Sequence, residues 1–175
     1  MILNGIYPPF LLTTKGVDPV GIVNRGISEE ARRRTAQACP ATVGTGAGNT
    51  DIYVIAPCTG TLDSVDFSCV DALTAHSTNH VTFSITNLGQ LGAGSTAMLH
   101  ATKNTTDSDV TGYFALAANT KQALYLSVVE TDGQFANLEV VAGDRLLLRI
   151  VAAGTLANSL TYPVFCLRFV DKGTS

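Results

Sequence analysis

The most constraining feature of this chain is a two-residue alternation of apolar and polar side chains, which recurs in short runs from Asp51 onward. The clearest run, HVTFSITNLG, has apolar side chains at Val81, Phe83 and Ile85 with polar ones between them. Successive side chains of a strand point to opposite faces, so this pattern predicts strands with one buried face. Turn-forming residues separate the runs and no helical periodicity interrupts them. The sequence therefore predicts an antiparallel β-sandwich or barrel and disfavours crossover helices.

The run GDRLLLRIVAAG adds a specific expectation about two arginines. Leu146, Leu148 and Ile150 fall on one face of a strand, whereas Arg145 and Arg149 fall on the other. The apolar face is predicted to enter the core, and the Ala-Gly-Asp turn before it to form a corner. We interpret the two arginines as lining a subunit seam. We expect a carboxylate or backbone carbonyl partner for at least one of them.

Residues 1–45 are predicted to form an extended N-terminal arm that precedes a sandwich over 51–172. Prolines and glycines exclude a long regular element, yet the segment is too apolar for a disordered tail. Such a segment has to bury its side chains against its own domain, a sister subunit or another protein. The predicted partner-binding residues of the arm are apolar or basic: Tyr7, Phe10, Leu11, Leu12, Arg25, Arg32, Arg33 and Arg34.

One short helix is predicted at about residues 28–38, within the arm. Ser28 is a favourable N-cap, Glu29 and Glu30 fall in the first turn, and Pro40 follows the end. The Gly- and Thr-rich stretch ATVGTGAGNT that comes next is predicted to be a linker or wide loop.

Charge composition favours an assembly component. Only 14% of the residues are charged, whereas soluble domains usually have roughly 25%. Residues 1–40 carry five basic and three acidic residues, and the remainder carries 6 and 11. The acidic body is a poor binder of nucleic acid, which requires clustered positive charge.

The sequence has neither the apolar run of a membrane span nor the basic start of a signal peptide. Synthesis in a cytoplasm is expected.

No catalytic motif is recognisable: the nucleophile elbow, the P-loop, H-E-x-x-H and a G-x-G-x-x-G that opens a helix are missing from the sequence. The four cysteines lack C-x-x-C spacing, which disfavours zinc. His76 and His80 as a metal pair, and a calcium loop around Asp107 and Asp109, remain open beside the interpretation of polar surface loops. We predict that the chain is not an enzyme and has no cofactor or metal.

The later sequence carries an ordered series of short motifs at its predicted strand ends and turns. A strand ends at Ala56-Pro57, and the turn Gly60-Thr61-Leu62 opens the next strand. The corner LEVVAGDRL and the turn Gly154-Thr155 follow in order before the last apolar strand, SLTYPVFCLRFV. This series resembles the jelly-roll head decoration, or cement, proteins of tailed bacteriophages. The resemblance covers roughly residues 51–170, and the arm has no counterpart in it.

The resemblance implies an antiparallel jelly-roll β-sandwich in a structural virion protein. It implies a homotrimer that binds the major capsid protein on the outer surface of the shell and stabilises it. The alternative is a trimeric tail-fibre or lectin-like module that binds a host receptor. Glycan sites usually present exposed aromatic rings, and this chain has no Trp and 7% aromatic residues, which disfavours the alternative.

Overall fold

The computed structural model describes residues 33–127 and 136–172, which form two β-sheets and one turn of 3-10 helix at Ala136–Leu138. The strands, in chain order, are β1 (Arg33–Ala38), β2 (Gly48–Ile55), β3 (Gly60–Ser68), β4 (Val81–Asn87), β5 (Thr96–Ala97), β6 (Gln122–Leu124), β7 (Glu139–Val140), β8 (Arg145–Ala152) and β9 (Val164–Asp171).

The first sheet has the strand order β1-β9-β3-β6, and β7 pairs with another part of β3. The second sheet has the order β2-β8-β4-β5. The pairs β2–β8, β4–β8, β3–β9 and β3–β6 are all antiparallel. The prediction of an all-β, antiparallel, two-sheet fold is therefore confirmed.

Three phenylalanine rings join the two sheets at the centre of the core. Phe67 of β3 and Phe165 of β9 belong to the first sheet, and Phe83 of β4 belongs to the second. The ring centroids of Phe67 and Phe83 are 4.5 Å apart, and those of Phe67 and Phe165 are 5.1 Å apart. The rings are tilted or edge-on to one another, an arrangement that aromatic pairs favour.

The predicted alternation is confirmed in the central strands. Leu146, Leu148 and Ile150 of β8 are fully buried, while Arg145 is exposed and Arg149 is half-buried. The less regular spacing in β3 comes from a β-bulge: Leu62 pairs with Phe169 and Ser64 with Arg168, so Asp63 is an extra residue. A bulge resets which face the following residues occupy. This is why Leu62, Val65 and Phe67 all point inward.

The Ala-Gly-Asp turn before β8 is a hydrogen-bonded corner. Gly143 has a φ of +95°, which glycine adopts without steric cost. Its N–H donates to the carbonyl of Ala56, and the Ala56 N–H donates to the carbonyl of Asp144. The buried Asp144 carboxylate accepts hydrogen bonds from the Val141 N–H at 2.8 Å and from the Asn87 amide at 3.0 Å. The corner thus fixes the end of β2 to the start of β8.

Two predictions for the N-terminal third are wrong: the helix over residues 33–38, and the end of the arm at residue 45. Residues 33–38, predicted as helix, are strand β1, which lies at the edge of the first sheet beside β9. β2 begins at Gly48, within the predicted linker, and Val43 forms a bridge with Leu160. Residues 33–45 are therefore part of the sandwich rather than of an arm. The rest of the predicted helix, 28–32, lies outside the described residues.

We predict that Phe67→Ala lowers the free energy of unfolding by about 3–5 kcal/mol, because it removes a ring from contact with both sheets. The control Tyr113→Ala, at an exposed loop position, should change it by less than about 0.5 kcal/mol. Urea denaturation followed by circular dichroism measures both. Equal losses in the two variants would contradict the central position of the phenylalanine cluster.

Candidate interaction surface

The outer face of the second sheet combines exposed apolar side chains with a pair of arginines. On β2, Tyr53 and Ile55 are 54% and 56% exposed. In the strand register Tyr53 lies opposite Leu147 of β8, and Ile55 lies opposite Arg145. Because β8 is a central strand, its outward side chains lie between those of β2 and β4. We call the outward side chains of β2 and β8 the outer face of the second sheet.

Arg149 has the carboxylate partner that the sequence predicts, and this partner belongs to the same chain. Asp51 lies directly opposite Arg149 across the β2–β8 pair. The Arg149 Nε and Nη2 atoms each donate to one oxygen of the Asp51 carboxylate, both at 2.7 Å. This two-bond geometry lowers the pKa of Asp51 below its usual value and raises that of Arg149. The pair is neutral and occupies the middle of the outer face.

Arg145 has a different environment. Its guanidinium group lies 5.7 Å from the centre of the Tyr53 ring, a cation–π distance. No carboxylate forms a salt bridge with it among residues 33–127 and 136–172. The outer face therefore keeps one positive charge beside its exposed aromatic ring. A role of Arg145 and Arg149 in a subunit seam stays a prediction.

The predicted arm residues are mostly outside the described part of the chain. Tyr7, Phe10, Leu11, Leu12, Arg25 and Arg32 lie there. Arg33 begins β1. The Arg34 guanidinium lies 3.8 Å from the Asp171 carboxylate of β9, so this arginine has a partner within the sandwich.

Tyrosine and phenylalanine side chains divide between surface and interior. The tyrosines of the described residues are 49–79% exposed: Tyr53, Tyr113, Tyr125 and Tyr162. Phe67, Phe83, Phe165 and Phe169 are fully buried. The alternation in the sequence places Phe67 and Phe83 inward, but it does not predict that the tyrosines are exposed. The phenolic hydroxyl is the signal that separates them, because a buried tyrosine needs a hydrogen-bond partner for it.

The polar residues singled out in the sequence mostly serve local structure. The Nδ1 atom of His76 accepts hydrogen bonds from the backbone N–H groups of Thr78 and Asn79. His80 lies 3.8 Å from the Asp107 carboxylate. No group of three or more His, Cys, Asp and Glu side chains among the described residues is placed to hold a metal ion. The described residues also include no helix long and apolar enough to cross a membrane.

Comparisons with protein-family models, with curated proteins and with solved structures give no match to this chain. A functional proposal therefore depends on the residues of this chain and on the resemblance of its motifs.

We predict that Asp51→Asn lowers the free energy of unfolding at neutral pH by roughly 0.2–1 kcal/mol, because the ion pair is partly exposed and screened by solvent. The folded-state pKa of Asp51 lies below its ordinary value of 3.8. The stabilisation is therefore fully present above that value and is lost as the pH falls through the folded-state pKa.

Chemical denaturation of both proteins between pH 7 and pH 2 measures this dependence. Asp63→Asn, at the exposed bulge residue of β3, is the matched control and should show a smaller difference. A difference between wild type and Asp51→Asn that persists unchanged at pH 2 would show that the ion pair is not its cause.

Proposed function

We propose that this chain is a structural virion protein that binds the outer surface of a bacteriophage capsid and stabilises the shell. The sandwich forms its folded body, and the N-terminal segment supplies additional contacts with the major capsid protein. The same resemblance implies that the protein forms a homotrimer.

We propose that the two sheets form an eight-stranded jelly roll, and the strand order supports this fold. With the short β7 set aside, the neighbouring strands are nested: β1 with β9, β2 with β8, β3 with β6, and β4 with β5. The first and third of these pairs lie in one sheet, and the second and fourth lie in the other. A jelly roll arises when a long antiparallel hairpin is rolled into two sheets, and it has this nested order.

The main support for the functional proposal is the position in the fold of the motifs that resemble those of decoration proteins. Ala56-Pro57 follows β2, and Gly60 to Leu62 opens β3. The corner that ends in Asp144 is hydrogen-bonded to Ala56, so two motifs that are distant in sequence form one structural unit. Gly60 is required there, because an added Cβ would lie 2.0 Å from the Val170 carbonyl oxygen of β9. The motifs resemble those of decoration proteins and occupy connected positions in the fold.

Physical chemistry supports a role for the N-terminal segment in binding. Burial of apolar side chains stabilises a complex by about 25 cal/mol per Å², less the cost of ordering the segment. The segment 1–32 is rich in such side chains and also carries Arg25 and Arg32, whose guanidinium groups suit carboxylate partners. A trimer would engage several capsid subunits at once and gain avidity without new contacts.

We predict that a chain lacking residues 1–32 folds but no longer binds undecorated capsids of the phage that encodes it. The truncation ends before Arg33 because β1 begins there. Co-sedimentation with capsids measures binding, and circular dichroism measures folding. In the full chain, Phe10→Ala with Leu11→Ala should weaken binding by at least about tenfold. Thr13→Ala with Thr14→Ala is the matched control. Full occupancy by the folded, truncated protein would disprove the role of the segment.

The exposed tyrosines favour a second candidate function, a lectin-like receptor-binding module. Aromatic rings that stand out from the surface can stack on sugar rings. Tyr162 is 79% exposed and has a φ of +49°, which is unusual for a residue with a side chain. The adjacent Thr161 is held by hydrogen bonds from its N–H and hydroxyl groups to the Asp71 carboxylate.

A glycan array distinguishes the two functions. The decoration proposal predicts no reproducible glycan signal for the intact protein. Strong binding to one glycan class that Tyr162→Ala abolishes would replace the decoration proposal with the receptor-binding one. Tyr113→Ala is the control, because this tyrosine is exposed in a different loop.

A further inference from the structure

β2 is an eight-residue strand at the edge of the second sheet. Its partner β8 lies on one side. On its other side, no backbone group of β2 forms a hydrogen bond with any residue of 33–127 or 136–172. A long edge strand is a template for pairing with another chain, and soluble proteins usually protect it.

The hydrogen bonds at the end of β2 identify which backbone groups are free. The Ala56 N–H and carbonyl both bond on the β8 side, to Asp144 and Gly143 respectively. The two backbone groups of one strand residue point to the same side, and this side alternates along the strand. Ile52 and Val54 therefore bond to β8. The N–H and carbonyl groups that face the free edge belong to Asn49, Asp51, Tyr53 and Ile55.

Short length protects most of the other edge strands of the two sheets. β5 and β7 have two residues each and β6 has three. β1 has six residues and begins with two consecutive arginines, of which Arg34 is paired with Asp171. Short length and charged side chains are both ways to prevent edge pairing. β2, with the sequence GNTDIYVI, has no lysine, arginine or proline. Its one charged residue, Asp51, is neutralised by Arg149 within the chain.

We propose that β2 is the site at which two copies of this chain pair, antiparallel and related by a two-fold axis at Ile52. In this register Asp51 of each copy lies opposite Tyr53 of the other, and Asn49 lies opposite Ile55. All four residues with free backbone groups are then paired. Four such pairs with two hydrogen bonds each give eight hydrogen bonds between the copies. The two second sheets become one continuous sheet of eight strands.

Charge complementarity supports this register. Arg145 lies over the Tyr53 ring and has no carboxylate partner among the described residues. With Asp51 of one copy opposite Tyr53 of the other, the Arg145 charge lies near the Asp51 carboxylate across the axis, which can accept hydrogen bonds from a second arginine besides its own Arg149. A shift of the axis to Asp51 would leave Ile55 without a partner in β2, so that six rather than eight hydrogen bonds form. Registers that pair odd-numbered with even-numbered residues would mismatch both the free backbone groups and the outer face.

A second copy is the partner that these features fit, because the antiparallel register about Ile52 pairs all four residues whose backbone groups face the edge. An isologous contact of this kind forms closed two-fold pairs and leaves no free β2 edge. The inference does not rest on the proposed virion function. It concerns the purified protein, and it adds a two-fold contact to the three-fold association that the resemblance implies.

The test is the mass of the purified full-length protein in solution, measured by light scattering on a sizing column. A two-fold contact predicts two chains, or six if trimers also form. Tyr53→Lys places a charge on the edge strand, and we expect it to halve the mass of the assembly. Ile55→Lys is a second variant with the same expectation. Tyr113→Lys is the matched control, since it introduces the same charge at a similarly exposed tyrosine outside β2.

Amide hydrogen exchange, measured for individual residues of β2, identifies which of its backbone N–H groups are paired. In the paired protein the amides of Asp51 and Tyr53 should be protected. In the Tyr53→Lys variant the amide of Asp51 should exchange at least about tenfold faster than in the paired wild-type protein. The amides of Ile52 and Val54 should stay protected in both proteins, because they bond to β8. A mass of one or three chains overturns the inference, as does an even-numbered assembly that both lysine variants leave intact. Protected Asp51 and Tyr53 amides in a monomer would show that the chain covers its own edge, and would also overturn it.

The β2 contact and the proposed function are tested separately, so capsid binding by Tyr53→Lys is not used to judge the β2 contact. If the paired protein forms as described but binds no capsid, the proposed function fails and the β2 contact stands. If the protein binds capsids as a single chain or a trimer, the β2 contact fails and the proposed function stands.

Discussion

The structure depends on the register of β8, the strand that pairs with β2 on one side and β4 on the other. One set of alternate residues, Leu146, Leu148 and Ile150, enters the core without exposure, so a shift by one residue would bury Arg145 and Arg149 instead. The corner at Gly143 and Asp144 fixes where the strand begins. Because both neighbours are aligned to β8, its register also places Asp51 opposite Arg149 and Tyr53 opposite Leu147.

The outer face of the second sheet follows from this alignment. The Asp51–Arg149 pair is neutral and held within one chain, whereas Arg145 remains charged beside Tyr53. A free carboxylate in β2 would protect the strand edge by repulsion, but the ion pair removes that protection. The same interaction that satisfies Arg149 therefore leaves an edge strand suited to association with another copy.

The sequence predicted the two-sheet fold well where large apolar side chains alternate, as in β4 and β8. It failed for β1, where the inward residues Ala36 and Ala38 are small and alternate without a strong apolar signal. Ser28 and the two glutamates after it match a helix start locally, and pairing with β9 outweighed the helical propensity of the residues from Arg33 onward. The bulge at Asp63 was visible only as an irregular spacing of apolar residues in β3.

The candidate surface was predictable in part. Alternation placed Arg145 and Arg149 outward and anticipated a carboxylate partner, but strand order is needed to identify Asp51, which is 98 residues away in sequence. The run DIYVI has apolar side chains on both faces, and this is the signal in the sequence that one of its faces is exposed and apolar. Whether a strand lies at an edge is a property of the whole sheet, so no local pattern could reveal it.

The proposal that this chain decorates a capsid is tested most directly by a cryo-electron microscopy reconstruction of the particle that carries it. We expect density for the two-sheet sandwich on the outer surface of the shell, in contact with the major capsid protein. Density for the sandwich on the inner surface of the shell, or in the tail, would contradict it.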